Sequence, residues 1–121
     1  MQRFNIKGEE HEIKLNLDAI KYLSGLNEGA AMALIGKALV GDIETYENII
    51  YAGLFHTGKG FTKKDVQAEI EKAIEEERLD LDEINRTCYA VVADNFFYKK
   101  TVERMFKDDP KAKAQIEKLM R

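Results

Sequence analysis

Cysteine, histidine, long apolar runs and a surplus of charge are all scarce in this sequence of 121 residues, and each shortage removes a class of protein. The one cysteine, Cys88, permits no intramolecular disulfide, so the chain is not a disulfide-stapled secreted scaffold. The two histidines, His11 and His56, lie on separate stretches with no cysteine close by, which leaves a zinc site without ligands; no metal and no cofactor is expected. No apolar run approaches the ~20 residues of a membrane span. Met1–Glu10 carries charge and a glycine where a signal peptide would have its apolar core, so the protein is expected to be made and kept in the cytoplasm, off the membrane. A net charge of −3 gives no global pull toward nucleic acid.

What is present, 45% hydrophobic and 34% charged residues, fits one soluble domain over 1–121. It divides into a hairpin at 3–17, a helical body at 18–107 and a short C-terminal helix at 110–120, an α+β chain that is mostly α, with about five or six helices. Phe4 and Ile6, then Ile13, Leu15 and Leu17, alternate around Lys7-Gly8-Glu9-Glu10 and predict a β-hairpin. A loop at Gly8-Glu9 sets Phe4 opposite Ile13 and Ile6 opposite His11. A loop longer by two sets Ile6 opposite Ile13. Both registers keep the apolar side chains on one face. Two strands alone are marginal in water, so the hairpin must lie on helices or pair its edge with another chain.

Asp18 is the expected cap of a first helix bearing Ile20, Leu23 and Leu26, with Asn27-Glu28-Gly29 as its end. A second helix runs from about Ala30 to Val40; Gly36 weakens it by ~1 kcal/mol relative to alanine, which predicts close packing or mobility there. Gly41 stops it and Asp42 caps a third, whose face is Ile43, Tyr46, Ile50 and Leu54. Thr62 and Asp65 form a capping signal before Val66, Ile70, Ala73 and Ile74, opposite a solvated acidic face. Asp109 and Pro110 open the last helix.

The dominant stretch lies between Leu79 and Phe106. Leu81, Ile84, Cys88, Val91, Tyr98, Val102 and Met105 follow three- and four-residue steps, with Asn95 in the remaining slot. Asp80 with Glu83, and Leu79 with Ile84, mark its start as cap and hydrophobic staple. A single helix near 80–106 would measure about 37 Å at about 1.5 Å per residue, against roughly 35 Å for the diameter of a compact chain of this size. It spans the body, projects from it, or breaks. Asn95 at a core position predicts either a local hydrogen bond or bend, or a residue that fixes register in an assembly. Phe96, Phe97 and Tyr98 cannot all face one core, so at least one is expected to meet another chain or the hairpin.

Catalytic motifs fail on inspection. Gly53 to Lys59 has phosphate-loop spacing, but Gly60 stands where a Ser or Thr must reach the metal, and a helix precedes it. Asp80-Leu81-Asp82 opens like a calcium loop, yet Asn85 takes the glycine position and Val91 the closing glutamate position. The acids between Glu69 and Glu83 belong to a solvated face, and no isolated carboxylate pair suggests acid catalysis; no enzyme emerges. Cys88 is expected to be a small buried hydrophobe. Charge is uneven, with nine acids against two bases over Asp65–Glu83 and eight bases against four acids over Tyr98–Arg121, so the two blocks can attract each other within the fold or between copies. An alternative reading takes the basic C-terminal region as a small regulatory module on DNA, whose binding would collapse with salt.

Three segments together resemble a family. Phe4-x-Ile6-x-Gly8-x-x-His11-x-Ile13-x-Leu15 is similar to the N-terminal hairpin of tail assembly chaperones of long-tailed phages and prophages, where an aromatic often holds the place of His11. Gly41-Asp42 through Asn48-Ile49-Ile50-Tyr51-Ala52, then Leu54 and Phe61-Thr62, is similar to the central region. Asp94-Asn95-Phe96-Phe97-Tyr98-Lys99-Lys100, with Val102 and Met105, resembles the closing helix. The resemblance implies a non-enzymatic protein of the bacterial host cytoplasm that binds the tape measure protein and keeps it soluble during tail assembly. It also implies a longer frameshifted form that recruits the tail tube protein. Patterning alone nominates Phe96, Phe97, Tyr98 and Val102, with Asn95, as partner contacts, Phe4 and Ile6 as hairpin anchors, and self-association through the open sheet edge.

Overall fold

The computed structural model describes residues 2–26 and 30–120. The chain enters as an antiparallel hairpin, β1 (Arg3–Ile6) and β2 (Glu9–Glu12), paired Arg3 to Glu12, Phe4 to His11 and Ile6 to Glu9. This register differs from both expected ones. The turn is Lys7-Gly8, and both residues take positive φ, 53° and 81°, the tight two-residue geometry that matches strand twist. The shift is by an even number of residues, so the apolar face is preserved: Ile6, Ile13 and Leu15 are all buried. Ile13 extends the ladder by donating its N–H to the Gln2 carbonyl, 2.8 Å.

Among the described residues seven α-helices follow: α1 (Leu17–Leu26), α2 (Ala30–Val40), α3 (Ile43–Gly53), α4 (Lys63–Glu75), α5 (Leu81–Asp94), α6 (Phe96–Asp108) and α7 (Pro110–Met120), with a 3₁₀ turn at Phe55–Thr57. The architecture is α+β, mostly α. The cap of α1 is Asn16, whose Oδ1 accepts from Ala19 N–H at 2.9 Å; Asp18, the expected cap, lies inside the first turn. The expected stop at Asn27-Glu28-Gly29 lies outside the described residues. Asp42 caps α3 through Thr45 N–H, and Thr62 with Asp65 closes a full capping box on α4. Hydrogen bonding to Thr62 holds the Asp65 carboxyl below its ordinary range.

The single helix expected near 80–106 is two helices, which is why there are seven and not six. Asn95 takes an extended conformation (φ −76°, ψ 126°) between α5 and α6. Tyr89 and Phe106 then meet with ring centroids 5.9 Å apart, whereas seventeen residues of continuous helix would separate them by about 25 Å. The chain folds back on itself, and α6 lies along α5.

The buried cluster runs from Ile6 in the hairpin to Phe106 in α6. α5 is its centre, packed on α2, α3 and α6, and Ile84, Cys88, Val91 and Val92 are buried along it. The hairpin lies on helices. Lys14 N–H donates to the Gly53 carbonyl at 3.0 Å, and a Cβ at Gly53 would collide with Ile13 Cγ2, so glycine lets the strand exit cross the end of α3. Gly36, in contrast, has open space around a built Cβ, so close packing does not explain it.

Candidate functional site

Asn95 sets the geometry of the α5–α6 turn. Its Oδ1 accepts from Phe97 N–H at 2.9 Å, its carbonyl accepts from Tyr98 and Lys99 N–H at 3.0 Å, and its Nδ2 donates to the Leu15 carbonyl at 3.2 Å. The polar groups of Asn95 are therefore used within the chain, as an N-cap and as a tie to the segment that follows the hairpin.

With the cap fixed there, Phe96 and Phe97 are the first two residues of α6, and they project outward. Phe96 is 87% exposed and Phe97 60%, while Tyr98 beside them is 1% exposed. Phe97 meets the Tyr98 ring edge-on, centroids 5.1 Å apart. Burial raises the pKa of the Tyr98 phenol, partly offset by the Ser24 side chain, although no partner reaches full hydrogen-bond geometry with its oxygen. Next to Phe96 a groove of about 410 Å³ opens between the segment Glu12–Leu15 and the end of α5, with the buried Ile13, Leu15, Ala90 and Val91 lining it beside the polar Gln2, Glu12, Lys14 and Asp94. Phe96 thus lines a trough of mixed apolar and polar character, with Phe97 beside it in α6.

Of the residues nominated from the sequence, the structure brings Asn95, Phe96, Phe97 and Tyr98 together and adds the hairpin exit. Phe96 and Phe97 are open to solvent. Ile6, Tyr98 and Val102, at 1%, 1% and 4% exposure, are core residues and present no surface to a partner; each occupies the inward position of its own element. Phe4 is half-buried against the core, paired with His11. Ile13, Ala90 and Val91 were not nominated. Ile13 showed in the strand alternation, but nothing in the local sequence reports that it faces α5.

The hairpin turn is held from outside the core. Lys7 N–H donates to Glu69 at 3.3 Å, Lys7 Nζ lies 3.5 Å from Asp65, and Lys59 pairs with Glu9 at 2.8 Å, which lowers the Glu9 pKa. His11 tilts against the Phe61 ring at 5.3 Å, so it does the packing of an aromatic, and His56 Nε2 donates to the Glu12 carbonyl at 2.7 Å. The acidic block meets this hairpin, its own Arg78 and, just beyond its end, Arg86.

Five apolar residues placed by periodicity on buried faces are exposed: Leu17 at 64%, Leu26 at 45%, Ile43 at 48%, Ile74 at 43% and Leu81 at 65%. Each sits at or near a helix end, beyond the reach of the core. Ile43 and Ile74 border a second groove, of about 550 Å³, between α3 and α4.

Among the described residues no group of three or more His, Cys, Asp or Glu could hold a metal ion, and no helix is long and apolar enough to cross a membrane. Cys88 has no accessible surface, and burial, with the Asp42 charge, pushes its thiol up to about 12. Gly58 and Gly60 take positive φ at the turn after the 3₁₀ segment.

The family described as "Phage tail assembly chaperone protein, TAC" matches residues 3–107. The chain belongs to this family. The match takes in the hairpin, α1 to α5 and all but the last residue of α6, and so includes the tail assembly chaperone's aromatic pair; α7 lies beyond it. No curated protein and no solved structure shows a significant match to the chain.

Proposed function

We propose that this tail assembly chaperone is non-catalytic, and that it binds the tape measure protein and keeps it soluble while the tail polymerises. Phe96 and Phe97 are the contacts, and the trough beside Phe96 receives an apolar ridge of a helical client. Asn95, Tyr98 and Val102 hold the α5–α6 turn in place, and Phe4 and Ile6 fix the hairpin that forms the other wall. A longer, frameshifted form would bring the tail tube protein to the same complex.

The observation that carries this reading is the exposure of two adjacent phenylalanines at the start of a helix, next to a groove with both apolar and polar lining. Exposed rings of that size are costly in water, each with ~1.5–3 kcal/mol to gain on full burial. An amphipathic client helix laid into a groove recovers that free energy.

Co-expression with the tape measure protein of the same phage is the test. Wild-type chain is expected to convert the tape measure protein from aggregate to a soluble complex that co-elutes. Phe97→Asp is expected to reduce the soluble complex at least tenfold while leaving the circular dichroism spectrum and melting temperature nearly unchanged, and Phe96→Asp to act in the same direction. Unchanged solubility with the wild-type chain would overturn the proposal.

A further inference from the structure

We propose that the groove between α3 and α4 is a docking site for a basic amphipathic helix of a partner protein, separate from the aromatic pair of α6. The inference goes beyond the client reading and does not rest on it.

The groove has an apolar floor and an acidic rim. Ile70 forms the floor, Ile43 and Ile74 stand exposed at its sides, and Glu44, Glu71 and Glu75 edge it. The acids of the two helices divide by what they face. On α4, Asp65 lies 3.5 Å from Lys7 Nζ and Glu69 accepts the Lys7 N–H, so both hold the hairpin. On α3, Glu47 accepts from Gln67 Nε2 and bridges the two helices. Glu44, Glu71 and Glu75 are the remaining acids of α3 and α4, and none of the ion pairs among the described residues uses them. Three carboxylates without a cation therefore surround two isoleucines that the chain itself leaves in solvent. Lys63, the one cationic residue of the lining, stands in the first turn of α4, at the other end of that helix from Glu71 and Glu75.

Each feature restricts the occupant. A trough between two packed helices accepts the ridge of a third, and Ile70 and Ile74, one turn apart, call for apolar side chains recurring at three- and four-residue steps. Glu71 and Glu75 are likewise one turn apart on the wall formed by α4, while Glu44 belongs to the wall formed by α3, so lysine or arginine is required on both flanks of that ridge. From Lys63 to Glu75 the wall of α4 measures about 18 Å at about 1.5 Å per residue, the length of a helix of three to four turns. The same rim repels an acidic helix, a phosphate backbone or an anionic lipid surface.

Fluorescence anisotropy on the full chain tests this, with a labelled synthetic helix of about 14 residues that carries leucine at i, i+3, i+4 and i+7 and lysine on both flanks. The helix is expected to bind, and to bind more weakly as the screening length falls from about 10 Å at 0.1 M salt to about 3 Å at 1 M. The same helix with glutamate for every lysine, and a peptide of the same composition in scrambled order, are expected to bind at least about tenfold more weakly. Glu71→Lys/Glu75→Lys and Ile43→Ser/Ile74→Ser, each confirmed as folded by circular dichroism, are expected to lose at least about tenfold in affinity. Glu103→Lys/Asp108→Lys, which makes the same change of net charge on α6, away from the groove, is expected to bind within about twofold of wild type. No binding to the wild-type chain, full binding to either groove variant, or an equal loss in Glu103→Lys/Asp108→Lys would each overturn the proposal. So would sedimentation velocity in which the wild-type chain associates with itself, Glu71→Lys/Glu75→Lys does not, and both bind the peptide equally, which would assign the groove to a second copy. None of these measurements uses the tape measure protein, so this inference and the client reading fail separately.

Discussion

Cys88 sits half-way along α5 with no accessible surface, and its thiol stays protonated up to about 12, against an ordinary value of 9.0. Burial raises the pKa of Tyr46 in the same way. In the unfolded chain both groups ionise earlier, so the unfolded state holds fewer protons than the native state in that window. The stability these groups contribute is therefore lost as pH rises from 9.0 for Cys88 and from 10.0 for Tyr46, by at most about 1.4 kcal/mol per pH unit for each group. Urea midpoints measured from pH 7 to 10.5 are expected to fall above pH 9, and Cys88→Ala, less stable at neutral pH, is expected to show a shallower fall. An equal slope in both would mean that the thiol is not held neutral. The burial of Cys88 was legible from its slot in the helical spacing. The cap of α1 was not, because Asn16 and Asp18 are both competent caps and only the observed start of the helix chooses between them.

At the level of the element, Asn95 is the residue on which the C-terminal half turns. It caps α6 and ties that cap to Leu15, so Asn95→Ala removes two hydrogen bonds, one of them the helix cap, and is expected to cost about 1–2 kcal/mol. Asn95→Asp, which keeps the cap and loses the donor to Leu15, is expected to recover part of this; denaturant titration of the two variants separates the contributions. Gly36 offers the opposite change. It lies mid-helix with room for a Cβ, so Gly36→Ala is expected to stabilise by up to ~1 kcal/mol, seen as a higher urea midpoint, whereas Gly41→Ala, at φ 80° and against Asn85, destabilises. The starts of α3, α4 and α5 were legible because capping is a local exchange of hydrogen bonds that the sequence spells out. The break at Asn95 was only one of three options, since apolar spacing continues unbroken across it: Tyr98, Val102 and Phe106 are buried because α6 folds back, not because the helix runs on. The hairpin register was missed for a similar reason, as Lys7 gives no sign in the sequence that it will take a left-handed conformation.

For the whole molecule, one buried cluster gathers residues from every part of the chain between Ile6 and Phe106, around α5. The order of elements and the centrality of α5 followed from periodicity. The two grooves did not, because they form where ends of helices outrun the core, and exposure at a helix end depends on neighbours far along the chain. Ile43 and Ile74 illustrate this: both continue an apolar face by spacing, and both stand in solvent. The exposed aromatic pair was partly legible, in that three consecutive aromatics could not all turn inward, but which of them stayed inside required the fold-back at Asn95.

The Leu15–Asn95 tie spans 80 positions of sequence, and it has a consequence for synthesis. A ribosome adding roughly 5–20 residues per second releases the hairpin well before the segment that closes over its exit exists. For several seconds Ile13 and Leu15 wait on a nascent chain with their final neighbours still untranslated. A tail assembly chaperone thus passes through an interval in which its own beginning is unshielded.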